Sequence, residues 1–101
     1  MIREAITGYV IADVQVTAAA AYEPYPPLAA ASIAKFGGRF LVRGGPVELL
    51  EGESQPDRIV VIEFADAETA RCWYRSEEYQ RALQIRQAAS RGRLFLVEGA
   101  S

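Results

Sequence analysis

The alternation of strand-like and helix-like segments restricts the fold of this 101-residue chain more than any other feature. Apolar runs rich in β-branched residues indicate strands, and periodic or alanine-rich stretches bounded by proline and glycine indicate helices. The predicted strands are 8–16, 39–44, 58–64 and 93–99. The predicted helical segments are a short turn near 18–23 and helices over about 27–36, 67–75 and 77–90. We therefore expect the order β-α-β-β-α-β.

This order is that of the split βαβ, or ferredoxin-like, arrangement. It predicts an α+β fold with an antiparallel sheet in strand order 4-1-3-2 and both helical units packed on one face. A chain of this length suits one domain, so residues 1–101 are taken as a single unit. The helix-free face, where it is apolar, has to meet another surface.

Local signals set the predicted boundaries of the elements. Gly37-Gly38 is expected to end the first helix and Gly92 to stop the last one. Asp66 and Ser76 are suited to cap the two later helical segments. After the second strand, a Gly-Gly-Pro bend is expected, and residues 47–51 are predicted to extend the hairpin.

The composition excludes several kinds of site. The chain has no histidine, which removes the usual Ser-His-Asp and Cys-His systems and every His-ligated metal centre. Cys72 is the one cysteine, so there is no intramolecular disulfide and no CxxC motif. We therefore predict no cofactor and no metal site.

Charge and hydropathy indicate the partners and the location. The net charge is −2 and the arginines are interleaved with acidic residues, so we expect no nucleic-acid partner. No apolar run approaches the roughly 20 residues that cross a bilayer, and the first fifteen residues carry no signal-peptide pattern. The expected location is cytoplasmic, away from membranes.

Four segments of the chain together resemble a known family. They are KFGGRFLVRGG (35–45), DRIVVIEF (57–64), ARCWYRSEEYQ (70–80) and GRLFLVEG (92–99). The sequence resembles the domain-of-unknown-function 1330 family over about residues 8–99. One departure is the proline cluster at 24–27, which lies where such proteins usually continue a helix.

The resemblance implies a fold and an assembly but no reaction. The family is similar to the dimeric α+β barrel superfamily, in which two ferredoxin-like sheets pack face to face, so a homodimer is expected. The superfamily includes cofactor-free monooxygenases and isomerase-like proteins. The family itself has no settled activity, and whether this chain is an enzyme stays open.

Strand alternation gives a candidate site from the residues themselves. It places Tyr9, Asp13 and Glu63 on the helix-free face, and Arg39 and Arg43 beside them. On the second helical unit, one arginine has apolar neighbours. The candidate ligand-binding residues are Tyr9, Asp13, Arg39, Arg43, Glu63 and Arg86.

Two interpretations of these charges are open. In the first, they line a cleft on the helix-free face that binds a small, anionic organic molecule, with or without cofactor-free catalysis. In the second, they form an ion-pair network that fixes the register of a non-catalytic dimer. Tyr22 and Tyr25, which flank the prolines, either close the mouth of a pocket or pack as half-buried side chains.

Overall fold

Four strands form one antiparallel sheet in the computed structural model, which describes residues 6–100. Residues 1–5 and Ser101, which the predicted domain includes, lie outside that range. The strands are β1 (Gly8–Val16), β2 (Arg39–Arg43), β3 (Ile59–Phe64) and β4 (Ser90–Glu98). The helices are α1 (Ala19–Tyr22), α2 (Tyr25–Lys35), α3 (Ala67–Arg75) and α4 (Glu77–Ala89). Since α1–α2 and α3–α4 are each one interrupted helical unit, the predicted β-α-β-β-α-β order is confirmed.

The sheet has the order β2-β3-β1-β4, which is the predicted order. Burial alternates along β1, where Val10, Ala12 and Val14 are buried and the residues between them are half-buried. The buried side chains meet the helices. The other face of the sheet carries no helix within residues 6–100. The ferredoxin-like α+β fold is therefore confirmed.

The core between the sheet and the helices is built on three large aromatic side chains. Phe64, Trp73 and Tyr79 are the largest fully buried residues. The Trp73 and Tyr79 ring centroids are 4.2 Å apart, and the Trp73 indole Nε1 donates to Ser32 Oγ at 3.0 Å. Because the polar atom of the tryptophan is satisfied inside the core, α2 and α3 are fixed to each other.

The prolines do not break α2, which begins earlier than the sequence predicts. Pro24 precedes the helix, and Pro26 and Pro27 lie in its first turn. The N–H groups of a first turn have no acceptor within the helix, so proline loses no hydrogen bond there. The interruption between α1 and α2 is therefore only Glu23 and Pro24.

Two predicted boundaries are wrong. Residues 47–51 do not extend the hairpin but belong to an irregular loop between β2 and β3, because the following Gly52 and Pro56 leave no strand to pair with them. Gly92 does not stop α4, which ends at Ala89. It lies inside β4 opposite Val14, where a Cβ atom would collide with the backbone of β1.

The caps that the sequence predicts are present. The Asp66 carboxylate accepts from Thr69 N at 2.7 Å, and Ser76 Oγ accepts from Tyr79 N at 3.2 Å. Between Ile6 and Ala100, no helix has the length and hydropathy needed to cross a membrane.

Candidate functional site

Four of the predicted site residues lie on the helix-free face. Arg39 and Glu63 are paired across β2 and β3, and Arg39 Nε donates to Glu63 Oε1 at 2.7 Å. Tyr9 lies opposite Glu63 on β1, and Asp13 lies farther along β1 opposite Ile59. The structure thus places all four on the predicted face.

The two acidic residues of this face do not come together. Asp13 and Tyr9 are four residues apart on β1, and Glu63 pairs with Tyr9. At about 3.3 Å per residue, Asp13 and Glu63 are separated by roughly 13 Å along the strands. They cannot form a carboxylate pair that shares a proton.

The helix-free face carries an apolar row between its charged residues, and Arg93 of β4 lies opposite Asp13. Ile11 lies between Val61 of β3 and Phe95 of β4, which gives an apolar row across three strands. Val97 continues the face and is 45% exposed. This surface has the composition of a protein interface core, with the Arg39–Glu63 ion pair near one edge.

The prediction that Arg43 faces away from the helices is wrong. Phe40 pairs with Ile62, but Val42 pairs with Val61, so β2 contains one extra residue, a bulge at Leu41. The bulge reverses the alternation, and Arg43 points to the helix side, where its guanidinium lies 4.1 Å from the centre of the Phe40 ring.

Arg86 also lies on the helix side, on α4. It is 6% exposed, and its Nε atom is buried without a hydrogen-bond partner. Arg58, immediately before β3, also has a buried Nε atom without a hydrogen-bond partner. Arg58 is not among the predicted site residues. It lies an even number of residues before the buried Ile62, so strand alternation places both on the helix side, and this signal could have identified it.

Arg43 and Arg58 line a cavity between the sheet and α1–α2, which we call the arginine cleft. Arg86 is not one of its lining residues, but it lies close enough to the cleft residues Tyr22 and Tyr25 for its charge to act on their pKa. The polar walls of the cleft are Tyr22, Tyr25, Arg43 and Arg58, and its volume is about 50 Å³. Its apolar walls include Val14 of β1, Val60 of β3 and Ile33 of α2. Since a water molecule occupies about 30 Å³, the cleft has room for one small polar group. Tyr22 and Tyr25 line this cavity and are both half-buried, so both roles that the sequence leaves open for them remain.

The arginine cleft contains cationic groups and no carboxylate. None of its lining residues is acidic, and the ion pairs within residues 6–100 use Lys35, Arg39 and Arg71 instead. A buried charge is unfavourable unless a counter-charge or hydrogen bonds compensate it. The cleft is therefore an electropositive pocket whose arginines have no carboxylate partner among those residues.

Two tyrosine hydroxyls in this region stay neutral at physiological pH. Burial raises the pKa of Tyr22, while the nearby Arg58 and Arg86 lower it in part. Burial and then the neighbouring Tyr79 raise the pKa of Tyr25, and their hydroxyl oxygens are 2.9 Å apart. A neutral hydroxyl can donate a hydrogen bond, so the region combines guanidinium and phenol donors for one acceptor. Across residues 6–100, no cluster of acidic or cysteine side chains has the arrangement of a metal site.

Comparisons with known proteins agree with the fold. The chain has a TM-score of 0.77 and 23% identity to a protein of unknown function, RPA0582 from Rhodopseudomonas palustris, covering 98% of this chain and 85% of that one. SnoaB from Streptomyces nogalater, a cofactor-independent oxygenase, gives a TM-score of 0.61 at 17% identity, covering 98% and 96%.

A third structure, a conserved protein of unknown function from Bacteroides thetaiotaomicron, gives a TM-score of 0.59 at 17% identity, covering 96% and 100%. These neighbours have the dimeric α+β barrel fold. No curated protein sequence matches this chain significantly. The profile of the family described as "Domain of unknown function (DUF1330)" matches residues 7–100, and the chain belongs to that family.

Proposed function

We propose that this protein is a homodimer that binds a small organic anion, with the anionic group held in the arginine cleft. The observation that carries the proposal is the pair of buried guanidinium nitrogens, Arg58 Nε and Arg86 Nε, which have no hydrogen-bond partner. A carboxylate or phenolate oxygen supplies both the counter-charge and the acceptor that these groups lack. The guanidinium fork matches a carboxylate in two parallel hydrogen bonds.

The size of the arginine cleft indicates how the ligand is held. A volume of about 50 Å³ accommodates a carboxylate-sized group but not a whole organic molecule. Arg43 is exposed and Tyr22 half-buried, so these two side chains stand at the opening. The body of the ligand therefore lies against the opening, and the anionic group points inward.

The helix-free face serves dimerisation in this proposal. The apolar row of Ile11, Val61 and Phe95 supports a sheet-to-sheet contact, and members of the dimeric α+β barrel fold typically dimerise. The Arg39–Glu63 ion pair then has the structural role that the sequence left open. This assignment moves the ligand from the helix-free face to the helix side of the sheet.

A second candidate function is catalysis on the bound anion without a bound cofactor. The likeness to SnoaB, a cofactor-independent oxygenase, favours it. Oxygen consumption by the wild-type protein with a bound phenolate, measured against Arg86→Gln, tests this candidate. Oxygen uptake at the uncatalysed rate would leave binding as the function.

Titration of the single tryptophan, Trp73, tests the binding proposal because Trp73 lines the arginine cleft. Benzoate and salicylate are the probes, and benzamide is the uncharged control. We expect both anions to change Trp73 fluorescence saturably and benzamide to have no effect. Arg58→Gln and Arg86→Gln should each weaken benzoate binding tenfold or more, since a hydrogen bond to a charged group contributes about 1.5–3 kcal/mol.

Arg81→Gln is the matched control, since Arg81 lies on the exposed side of α4. It removes the same charge from the same helix as Arg86→Gln, but Arg81 is exposed, whereas Arg86 is buried near the cleft residues Tyr22 and Tyr25. Equal losses in the Arg81 and Arg86 variants would show that only net charge matters. Unchanged binding in both the Arg58 and Arg86 variants would refute the assignment of the site.

A further inference from the structure

A second, larger concavity lies at the open edge of β4, and we call it the β4 groove. Its volume is about 450 Å³, and it runs between α3, the end of α4 and the β4 residues 92–96. Its walls carry Arg71, Arg75, Arg86 and Arg93, and its apolar surface includes Trp73 and Leu96. None of its lining residues is acidic. The groove is therefore basic at its walls and apolar at its base.

One segment of the same chain has the complementary chemistry. The loop of residues 46–57, which we call the acidic loop, contains four acidic residues and no basic residue. It also presents two leucines to solvent, Leu49 at 37% and Leu50 at 85% exposure. A leucine as exposed as Leu50 is unfavourable unless another surface covers it.

The acidic loop cannot reach the β4 groove of its own chain by a short path. It follows β2, and β2 and β4 are the opposite edges of the sheet. The loop does lie near one side of the groove, the side at Gly92. Arg58 directly follows the loop, and its carbonyl oxygen accepts a hydrogen bond from Val14 N at 3.0 Å. Val14 in turn pairs with Gly92, which lines the groove.

A face-to-face dimer brings the two features together. If two sheets stack with a twofold axis parallel to their strands, the β2 edge of one sheet lies over the β4 edge of the other. The same axis keeps the strand ends aligned, so the loop of one protomer lies beside the groove of its partner. A loop of this length can extend roughly 20 Å from the sheet, far enough to pass the edge strand.

We propose that the acidic loop of each protomer docks in the β4 groove of its partner, with leucine side chains on the apolar base and carboxylates toward the arginines. Direct contact between the β4 grooves of two copies is less favourable than loop docking, because arginines of one groove would then face arginines of the other. The docked loop also completes a wall of the ligand region, since Trp73 and Leu94 line both the groove and the arginine cleft. This inference rests on the homodimer of the proposed function but not on anion binding.

A charge-reversal experiment on the full chain tests the docking. The groove variant is Arg71→Glu with Arg75→Glu, both exposed on α3, and the loop variant is Glu48→Lys with Glu51→Lys. Each variant alone places like charges in both loop–groove contacts of its homodimer. We expect the dimer dissociation constant of each to rise tenfold or more, measured by sedimentation equilibrium.

Mixing the two variants separates docking from a general loss of stability. In the heterodimer, the unchanged acidic loop of one chain meets the unchanged basic groove of the other. The second contact joins the lysine-bearing loop to the glutamate-bearing groove. Opposite charges therefore face each other in both contacts. We expect a heterodimer with an affinity near that of the wild-type homodimer. Arg81→Glu, a reversal on α4 outside the groove, should leave dimerisation unchanged.

Each remaining outcome overturns a defined part of the account. Variants that dimerise like the wild type, or that stay monomeric when mixed, would overturn the docking alone. A monomeric wild-type protein would overturn both the docking and the homodimer. Benzoate titration of the wild type reports separately on the arginine cleft, so the two proposals can fail independently.

Discussion

Arg58 and Arg86, the residues of the proposed site, depart from the rules of a stable core. Both bury a guanidinium nitrogen that has no partner, although almost all buried polar groups in folded proteins are hydrogen-bonded. Around them, the polar groups of Trp73 and Tyr25 are satisfied. Among the described residues, the unsatisfied buried side-chain groups are thus confined to arginines, both of which act on the pKa of Tyr22. Buried polar groups without partners are a feature of binding sites.

Replacing Arg86 by a neutral side chain of similar length should stabilise the empty protein. In Arg86→Met, an apolar group replaces a buried cation that has no counter-charge, so we expect the free energy of unfolding to rise by about 1 kcal/mol. The same variant should lose benzoate binding. Urea unfolding checks the stability, with Arg81→Met as the exposed control. A less stable Arg86→Met that still binds benzoate would contradict the account.

Tyr25 should make the protein sensitive to alkali. Burial and Tyr79 raise its pKa above the ordinary value of 10.0, so folding favours the protonated phenol. This contribution is fully present below pH 10 and is lost as the pH rises toward the folded-state pKa, because the unfolded chain releases the proton first. Tyr25→Phe should therefore flatten the alkaline limb of the stability profile, measured as melting temperature from pH 8 to 11. An unchanged slope would show that Tyr25 is not the responsible group.

At the scale of the elements, alternation along the strands could be predicted from the sequence wherever pairing is regular. The faces of β1 and β3 follow directly from their apolar residues, and so does the placement of Tyr9, Asp13 and Glu63. The bulge at Leu41 could not be predicted in this way, because one extra residue reverses the parity without changing the apolar pattern. Strand alternation therefore predicts the wrong face for Arg43.

Gly44, at the start of the loop that follows β2, positions the side chain of Arg58. Gly44 has φ of 74°, and a Cβ atom there would lie 2.5 Å from Arg58 Nη1. The guanidinium thus packs against a bare backbone in a conformation that favours glycine. A side chain at this position would displace Arg58 from the arginine cleft.

Gly44→Ala and Gly45→Ala form a matched pair that tests this positioning. Gly44→Ala should lower the free energy of unfolding by about 1–2 kcal/mol, because alanine is strained at positive φ, and should weaken benzoate binding by displacing Arg58. Gly45 has open space at its Cβ position and no positive φ, so Gly45→Ala should change neither quantity appreciably. Similar effects of the two substitutions on binding would contradict a positioning role for Gly44.

At the scale of the whole molecule, the protein is flat. Its principal extents are 50 × 37 × 16 Å, and its radius of gyration of 14.4 Å exceeds the value of about 13 Å expected for a compact domain of 100 residues. The apolar row of Ile11, Val61 and Phe95 lies on the uncovered side of this flat shape. In the proposed homodimer, a partner stacked on that side covers the face of the sheet that the helices leave open.

The global architecture could be predicted from local sequence signals, but the site could not. Element order and the one-sided helical layer follow from periodicity and turn residues. The arginine cleft depends on residues brought together from α1–α2, β2 and the start of β3, with Arg86 of α4 near its tyrosines. Their meeting is set by the bulge at Leu41 and by burial between layers, and neither is visible in a linear pattern of charges.

A crystal structure of the dimer with bound benzoate tests the central claim most directly. The account predicts the carboxylate in the arginine cleft, within hydrogen-bond distance of the Arg58 and Arg86 guanidinium groups. A benzoate bound instead on the helix-free face, beside Arg39 or Asp13, would contradict that assignment and return the site to the position that strand alternation alone suggested.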